Sequence, residues 1–134
     1  AWSIGIAQAA LEASLTYAKQ RQQFGHAIAE FQAIQFKVAE MATKIEMARN
    51  SVYKSAWLLD RGKPDTKLTA MAKLFACHVA VEVVDEALQL HGGYGYFNDY
   101  DIERFYRAAK VLEIYEGTKE VEKIVISREI LGKF

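Results

Sequence analysis

Apolar positions recur every three or four residues along almost the whole chain, the spacing of helices that each bury one face. From Ser3 to about Gln20 the residues Ile4, Ala7, Leu11, Leu15 and Ala18 make one such stripe, with alanine filling the gaps. Gln22, Gln23, Phe24, Gly25 and His26 break the pattern and predict a loop. A second stripe, Ile34, Val38, Met41, Ile45, Ala48, Val52, Ala56 and Leu59, predicts a helix from about Phe31 to Leu59. Gly62-Lys63-Pro64 stops it, since proline lacks the N–H a helix interior needs, and Asp65 or Thr66 is placed to cap the next helix. Leu68, Met71, Phe75, Val79, Val83, Ala87 and Leu90 form the third stripe, which ends at Gly92-Gly93. Residues 94–100 (Tyr-Gly-Tyr-Phe-Asn-Asp-Tyr) have no period. A short helix is expected over about Asp101–Ala109, and an extended piece over Val111–Ile114. A last helix is expected from near Thr118 through Val121, Ile124, Val125 and Ile130 to Gly132. The pattern predicts an all-α fold, an antiparallel four-helix-bundle-like domain of up-down topology with short C-terminal helices. Residues 1–134 read as that single domain.

With 134 residues, 51% hydrophobic and 25% charged, the chain can bury a substantial core. Lysine plus arginine and aspartate plus glutamate each number 17, so no cationic surplus exists to neutralise a nucleic-acid backbone, and no nucleic-acid partner is expected. The apolar stretches are too short for a membrane span. A single cysteine, Cys77, excludes an internal disulfide and reads as a small buried side chain within Leu74-Phe-Ala-Cys77. Ala1-Trp2 lacks a methionine and already sits in helical pattern, so the chain is expected to be a piece of a longer polypeptide. No secretory signal is visible, and the bacterial cytoplasm or the mitochondrial matrix is the expected location.

The chemistry-bearing residues are few. His26, His78 and His91 share no metal-ligand spacing with one another or with Cys77, so no metal site is expected. His78, among apolar residues, reads as a core or interface histidine. Gly92-Gly93-Tyr94-Gly95 fits neither a P-loop nor a dinucleotide fingerprint and marks a helix end with a sharp turn. Glu30, Glu40 and Glu46 lie near lysine or arginine at helical spacing and read as solvated faces. Glu116 stands in Ile114-Tyr115-Glu116-Gly117-Thr118. One reading makes it a first-turn acid that favours the helix dipole. The other makes it a base at the mouth of an apolar pocket, with Gly117 admitting a ligand close to the backbone.

Four segments, read together, resemble the C-terminal helical domain of the acyl-CoA dehydrogenases, flavoenzymes that desaturate acyl thioesters. They are Ala10-Leu-Glu…Tyr17-Ala…Arg21-Gln-Gln-Phe24-Gly25, Phe31-Gln32, Gln89-Leu-His-Gly92-Gly93-Tyr-Gly95 and Ile114-Tyr-Glu-Gly-Thr118. Each motif alone is weak, but four in register along essentially the whole chain are specific. The resemblance implies that Glu116 is the catalytic base, removing the α-proton of acyl-CoA while the N5 of FAD takes a β-hydride. It implies that the forming enolate-like oxygen is met by the Glu116 backbone N–H and a ribityl hydroxyl of the flavin. Tyr115 and Gly117 match substrate-binding positions, and Thr118, Lys119 and Glu120 match flavin-binding ones. Arg21, Gln22, Gln23, Phe24, Phe31 and Gln32 match positions that reach the adenosine diphosphate part of FAD held mainly by a neighbouring subunit. Gln89, Leu90, His91, Gly92 and Gly93 match a stretch whose backbone packs on a partner subunit's FAD. Two departures stand out: Arg107-Ala108-Ala109 where many relatives carry Arg-Asp-Ala, and Phe31 where relatives often carry histidine.

The same resemblance implies a homotetrameric parent, a dimer of dimers sharing its FAD sites, that serves fatty acid metabolism. Electrons would pass to an electron-transferring flavoprotein. The contrasting reading is a non-catalytic helical oligomerisation or interaction module with a relic flavin site. It leaves unexplained a carboxylate beside Gly117 and a glycine pair after Gln89. Family members also carry an N-terminal helical domain and a middle β-domain against which the flavin ring lies. The isolated 134-residue chain is therefore expected to bind FAD poorly and to be inactive, and its absorbance spectrum after purification with added FAD checks this.

Overall fold

A computed structural model of the chain describes residues 1–132. Lys133 and Phe134, assigned above to the same domain, lie outside the described residues. The described residues form an all-α fold: α1 (Trp2–Gln20), α2 (Gln32–Asp60), α3 (Thr66–His91), α4 (Gly93–Tyr96), α5 (Ile102–Leu112) and α6 (Lys119–Leu131). Between α1 and α2 stand two short antiparallel strands, β1 (Gln22–Gln23) and β2 (His26–Ala27), and one 3₁₀ turn, Ile28–Glu30.

Proline at position 64 and the Asp65 cap separate α2 from α3 as the composition demands. The Asp65 carboxylate accepts from the Leu68 N–H at 2.9 Å, an N-cap bond of the kind that contributes about 1 kcal/mol. At the far end of α3, Gly92 takes φ 59°, a left-handed conformation that glycine adopts without a side-chain clash. Gly95 is fixed for a different reason: an added Cβ would stand 2.9 Å from both the His91 Cβ and the Leu88 carbonyl oxygen.

α3 is the central helix and touches every other helix of the chain. Its buried face carries Ala70, Ala72, Ala76, Val79, Ala80, Val83, Val84 and Ala87, small residues that let neighbours approach closely. Ile4, Ala7 and Leu11 of α1, Met41 and Ile45 of α2, and Ile102, Ala109 and Leu112 of α5 complete the main core. A smaller cluster, Ala18, Ile28 and Leu90, anchors the hairpin end. Across the rims, Arg49 donates to the Gln8 side chain at 2.8 Å and Lys44 pairs with Glu82 at 3.1 Å. Such half-exposed pairs are worth at most about 1 kcal/mol each, so the apolar core dominates.

Five expectations are corrected. Residues 22–27 are a hairpin, because Phe24 and Gly25 both take positive φ (54° and 82°), the two-residue turn that closes antiparallel strands. Residues 93–96 add one helical turn, while Val111 and Leu112 finish α5 and Glu113 onwards is turn. His78 is not a core histidine: it is exposed on the outer face of α3, 3.4 Å from the Glu82 carboxylate and 3.7 Å from that of Glu113, a position that leaves only the interface reading. The stripes of α2 and α3 are also not buried along their full length: Leu59, Met71 and Phe75 are exposed, and α6 has no fully buried residue.

Among the described residues Glu113 is the one buried acid. Burial by itself pushes its carboxyl up, but the hydrogen bond and charge of Lys110 (2.6 Å), with Lys119 and His78, outweigh burial and hold it below its ordinary 4.5. On acidification the unfolded chain therefore takes up this proton first, so the stabilisation is present above about pH 4.5 and lost as pH falls further. Glu113→Gln is expected to flatten the acid limb of melting temperature against pH, measured between about pH 6 and 3.

Candidate functional site

The predicted site residues divide between the two ends of the bundle. At one end the chain leaves α5 through a tight turn: Ile114 N–H and Tyr115 N–H both bond to the Val111 carbonyl, at 3.0 and 3.1 Å. Glu116 then takes φ 55° and Gly117 φ 99°. A glutamate in the left-handed region costs of order 1 kcal/mol and persists only where its surroundings dictate it. Thr118 caps α6, its hydroxyl accepting from the Val121 N–H.

This turn forms the rim of a cleft of about 750 Å³. The floor is α3, where Ala70, Ala72, Ala76 and Cys77 are too small to fill it. Trp2 and Ser3 of α1, Val52, Ala56 and Leu59 of α2, Leu112, and Val125 of α6 supply the walls. Tyr115 and Glu116 line it from above, both exposed, with Tyr115 held edge-to-face against Trp2 at 6.5 Å between ring centroids. Burial pushes the Cys77 thiol up, which disfavours the thiolate. Two carboxylates line the cleft, Glu116 and Glu122, and Glu122 is paired with Lys73. Gly117, matched above to a substrate-binding position, does not line the cleft itself and stands beside Lys73 and Glu122, which do. An added Cβ there would meet the Glu122 Oε1 at 2.7 Å. Thr118 is half-buried at the cap, and Lys119 and Glu120 are exposed in the first turn of α6.

Sequence reasoning missed the groups that hold this turn. Lys73 Nζ donates to the Tyr115 carbonyl at 3.2 Å and to the Gly117 carbonyl, and pairs with Glu122 at 3.3 Å. A usable signal existed: Lys73 lies three residues after Ala70 and four before Cys77, so a lysine interrupts the small, buried stripe of α3.

At the other end, Arg21, Gln23, Phe24, Phe31, Leu90, His91, Gly92 and Gly93 line a second pocket of about 600 Å³. Gln22, Gln32 and Gln89 are exposed beside it and do not line it. The Arg21 guanidinium lies 5.2 Å from the Tyr94 ring centre, a cation–π contact that fixes its direction. Tyr17 stacks on His91 at 4.3 Å. His91 Nδ1–H donates to the Ala87 carbonyl at 2.7 Å, and burial lowers its pKa against that bond, so the ring is neutral with its other nitrogen free to accept. Beside Gly92 and Gly93 there is open space where a Cβ would stand, so a flat group can lie on bare backbone. A directed guanidinium, the Gln23 amide and the aromatic walls of Phe24, Phe31, Tyr94 and Phe97 suit a nucleotide carrying a pyrophosphate, such as the adenosine diphosphate part of FAD. The cleft and this pocket are separated along α1 by the stretch from Ser3 to Tyr17, roughly 21 Å of helix.

The profile of the family described as "Acyl-CoA dehydrogenase, C-terminal domain" matches residues 1–131. A probable acyl-CoA dehydrogenase of Bacillus subtilis (strain 168) is 54% identical over 131 residues, covering 98% of this chain and 34% of that protein. The caffeyl-CoA reductase-Etf complex subunit CarC of Acetobacterium woodii is 50% identical over 131 residues, covering 98% of this chain and 35% of its own length. The structure of butyryl-CoA dehydrogenase from Megasphaera elsdenii superposes with a TM-score of 0.95 at 48% identity, covering 96% of this chain and 34% of that one. The chain thus spans about a third of the length of the relatives it matches. It belongs to the acyl-CoA dehydrogenase family, and its helices are those of the family's C-terminal domain.

Proposed function

We propose that the chain is one domain of an FAD-dependent acyl-CoA dehydrogenase and that Glu116 removes the α-proton of an acyl-CoA thioester. The observation that carries this reading is the left-handed Glu116 on the rim of a cleft floored by small apolar side chains. The acyl chain would lie in the cleft, with Tyr115 and Trp2 beside its entrance. The Cα–H bond breaks toward the Glu116 carboxylate, and the negative charge that develops on the thioester oxygen is met by the Glu116 N–H. FAD, when bound, supplies the acceptor for the β-hydride, so the two electrons leave the substrate as the α,β double bond forms. The protonated Glu116 would return the proton in the opposite direction, the reduction for which the caffeyl-CoA relative is named.

Arg21, Gln23, Phe24, Phe31 and the Leu90–Gly93 backbone would hold the adenosine diphosphate part of FAD, with Gln22, Gln32 and Gln89 at the margin. Thr118, Lys119 and Glu120 would meet the flavin near Glu116. The separation of the two sites supports FAD sites shared between protomers of a dimer of dimers, since one end of a protomer need not serve the flavin at its other end. The exposed Leu59, Met71 and Phe75 support further domains packed on this bundle, as the relatives' greater length does. An electron-transferring flavoprotein as electron acceptor is supported by the Etf complex named for the Acetobacterium relative.

In the full-length flavoprotein, Glu116→Gln is expected to lower turnover of acyl-CoA by about 10²–10⁴-fold with FAD retained, measured by steady-state kinetics and the flavin spectrum. Turnover at the wild-type rate would remove Glu116 from the role of base. Gly117→Ala places a Cβ against Glu122 at a backbone angle that disfavours side chains. It is expected to cost roughly 1–3 kcal/mol of stability in the turn and to depress kcat, read from melting temperature and kinetics on one preparation.

A further inference from the structure

We propose that Lys73, which also lines the cleft, is a positioning residue for the α-proton abstraction: its ammonium grips the carbonyls on either side of Glu116 and so fixes the Glu116 amide and carboxylate at the cleft's rim. The inference rests on the reading of Glu116 as the base and goes on to say what makes that residue competent. Tyr115 O and Gly117 O are both bonded to the same Nζ, one at 3.2 Å, and they straddle Glu116 in sequence. The third ammonium hydrogen faces Glu122 at 3.3 Å. Every donor of Lys73 is thereby used, and its side chain and that of Glu122 are largely covered (27% and 13% exposed). Charge-assisted bonds in a partly dry setting are the strong kind.

The consequence follows from peptide geometry. The Tyr115–Glu116 bond is trans and planar, so its C=O and N–H point in opposite directions. With the carbonyl drawn to Lys73, the Glu116 N–H is turned away from α3's lysine, and among the described residues no backbone oxygen accepts from it. A free, fixed donor beside the carboxylate is what a forming thioester enolate requires. A cation on the carbonyl oxygen also polarises the peptide group and strengthens its N–H as a donor. Gripping both flanking carbonyls over-determines the left-handed angles of Glu116 and Gly117, so the strain at this turn has an identified restraint. Glu122 completes the clamp, since it anchors the ammonium from the side where Gly117 leaves room for no Cβ.

The test uses the full-length flavoprotein and an acyl-CoA with sulfur in place of the β-carbon, which keeps an acidic α-proton but has no β-hydride to give. Exchange of that α-proton with D₂O, followed by NMR, reports abstraction and return at Glu116 without any oxidation. Lys73→Met is expected to slow exchange at saturating analogue by about 10- to 100-fold, while the dissociation constant of the analogue moves less than about threefold. Lys73→Arg, which keeps a cation within reach of both carbonyls, is expected to recover most of the rate. A Lys73→Met protein that exchanges at the wild-type rate, or whose loss lies wholly in analogue affinity, overturns the proposal. Should Lys73→Met not fold, Lys73→Gln decides, being uncharged and one atom shorter. Exchange well below that of Lys73→Arg is expected, and exchange equal to it overturns the role of the ammonium. Glu116→Gln separates the two levels: if exchange persists without that carboxylate, the base assignment fails whatever the Lys73 series shows.

Discussion

The small side chains of α3 are the constraint on which the domain depends. Alanine at 72, 76, 80 and 87 lets α1, α2 and α5 close onto one central helix. The same smallness in its N-terminal half leaves the floor of the 750 Å³ cleft unfilled. Packing and cavity thus arise from one sequence feature, and which of them results depends on whether a neighbour supplies a large side chain opposite. Met41 and Ile45 do so in the core, whereas Ala56 opposite Ala70 and Ala76 does not.

The rim turn is a short, strained connection tied to a rigid helix. Two successive residues with positive φ would be expensive in a free loop. Here α5 and α6 fix the two ends and a lysine of the central helix holds the middle, so the strained form is the one the scaffold supports. Sites whose reacting groups must be placed within fractions of an ångström are best built this way, on elements whose own positions are settled by packing.

The up-down order of the long helices separates the chain's two main pockets. Helix N-termini and C-termini alternate between the ends, so the start of α1, the end of α2 and the start of α3 meet at the cleft. The hairpin, the start of α2 and the end of α3 meet at the aromatic pocket. Neither end is closed by this chain alone, and exposed apolar residues on α2, α3 and α6 leave surface for further protein to cover. The domain reads as one wall of two sites.

Much of this was legible in the sequence, because helical periodicity is a local property. The stripes through Ile4–Ala18, Ile34–Val52 and Val79–Leu90, and the breaks at Pro64 and Gly92, follow from side-chain chemistry and backbone allowance within a few residues. The hairpin at 22–27 was hidden because Phe24 holds a turn position at which a glycine or asparagine signal is usual. The placement of Tyr115 and Glu116 on an apolar cleft, and of Arg21 beside Gly92 and Gly93, depends on segments far apart in the chain, and only the tertiary structure decided it. Lys73 is the clearest case: its spacing marks it as unusual on its stripe, but its partners lie 42 and 44 residues away. Sequence fixes what each residue can do within its own helix turn, while the packing of α3 against the turn after α5 selects which of those capacities is used.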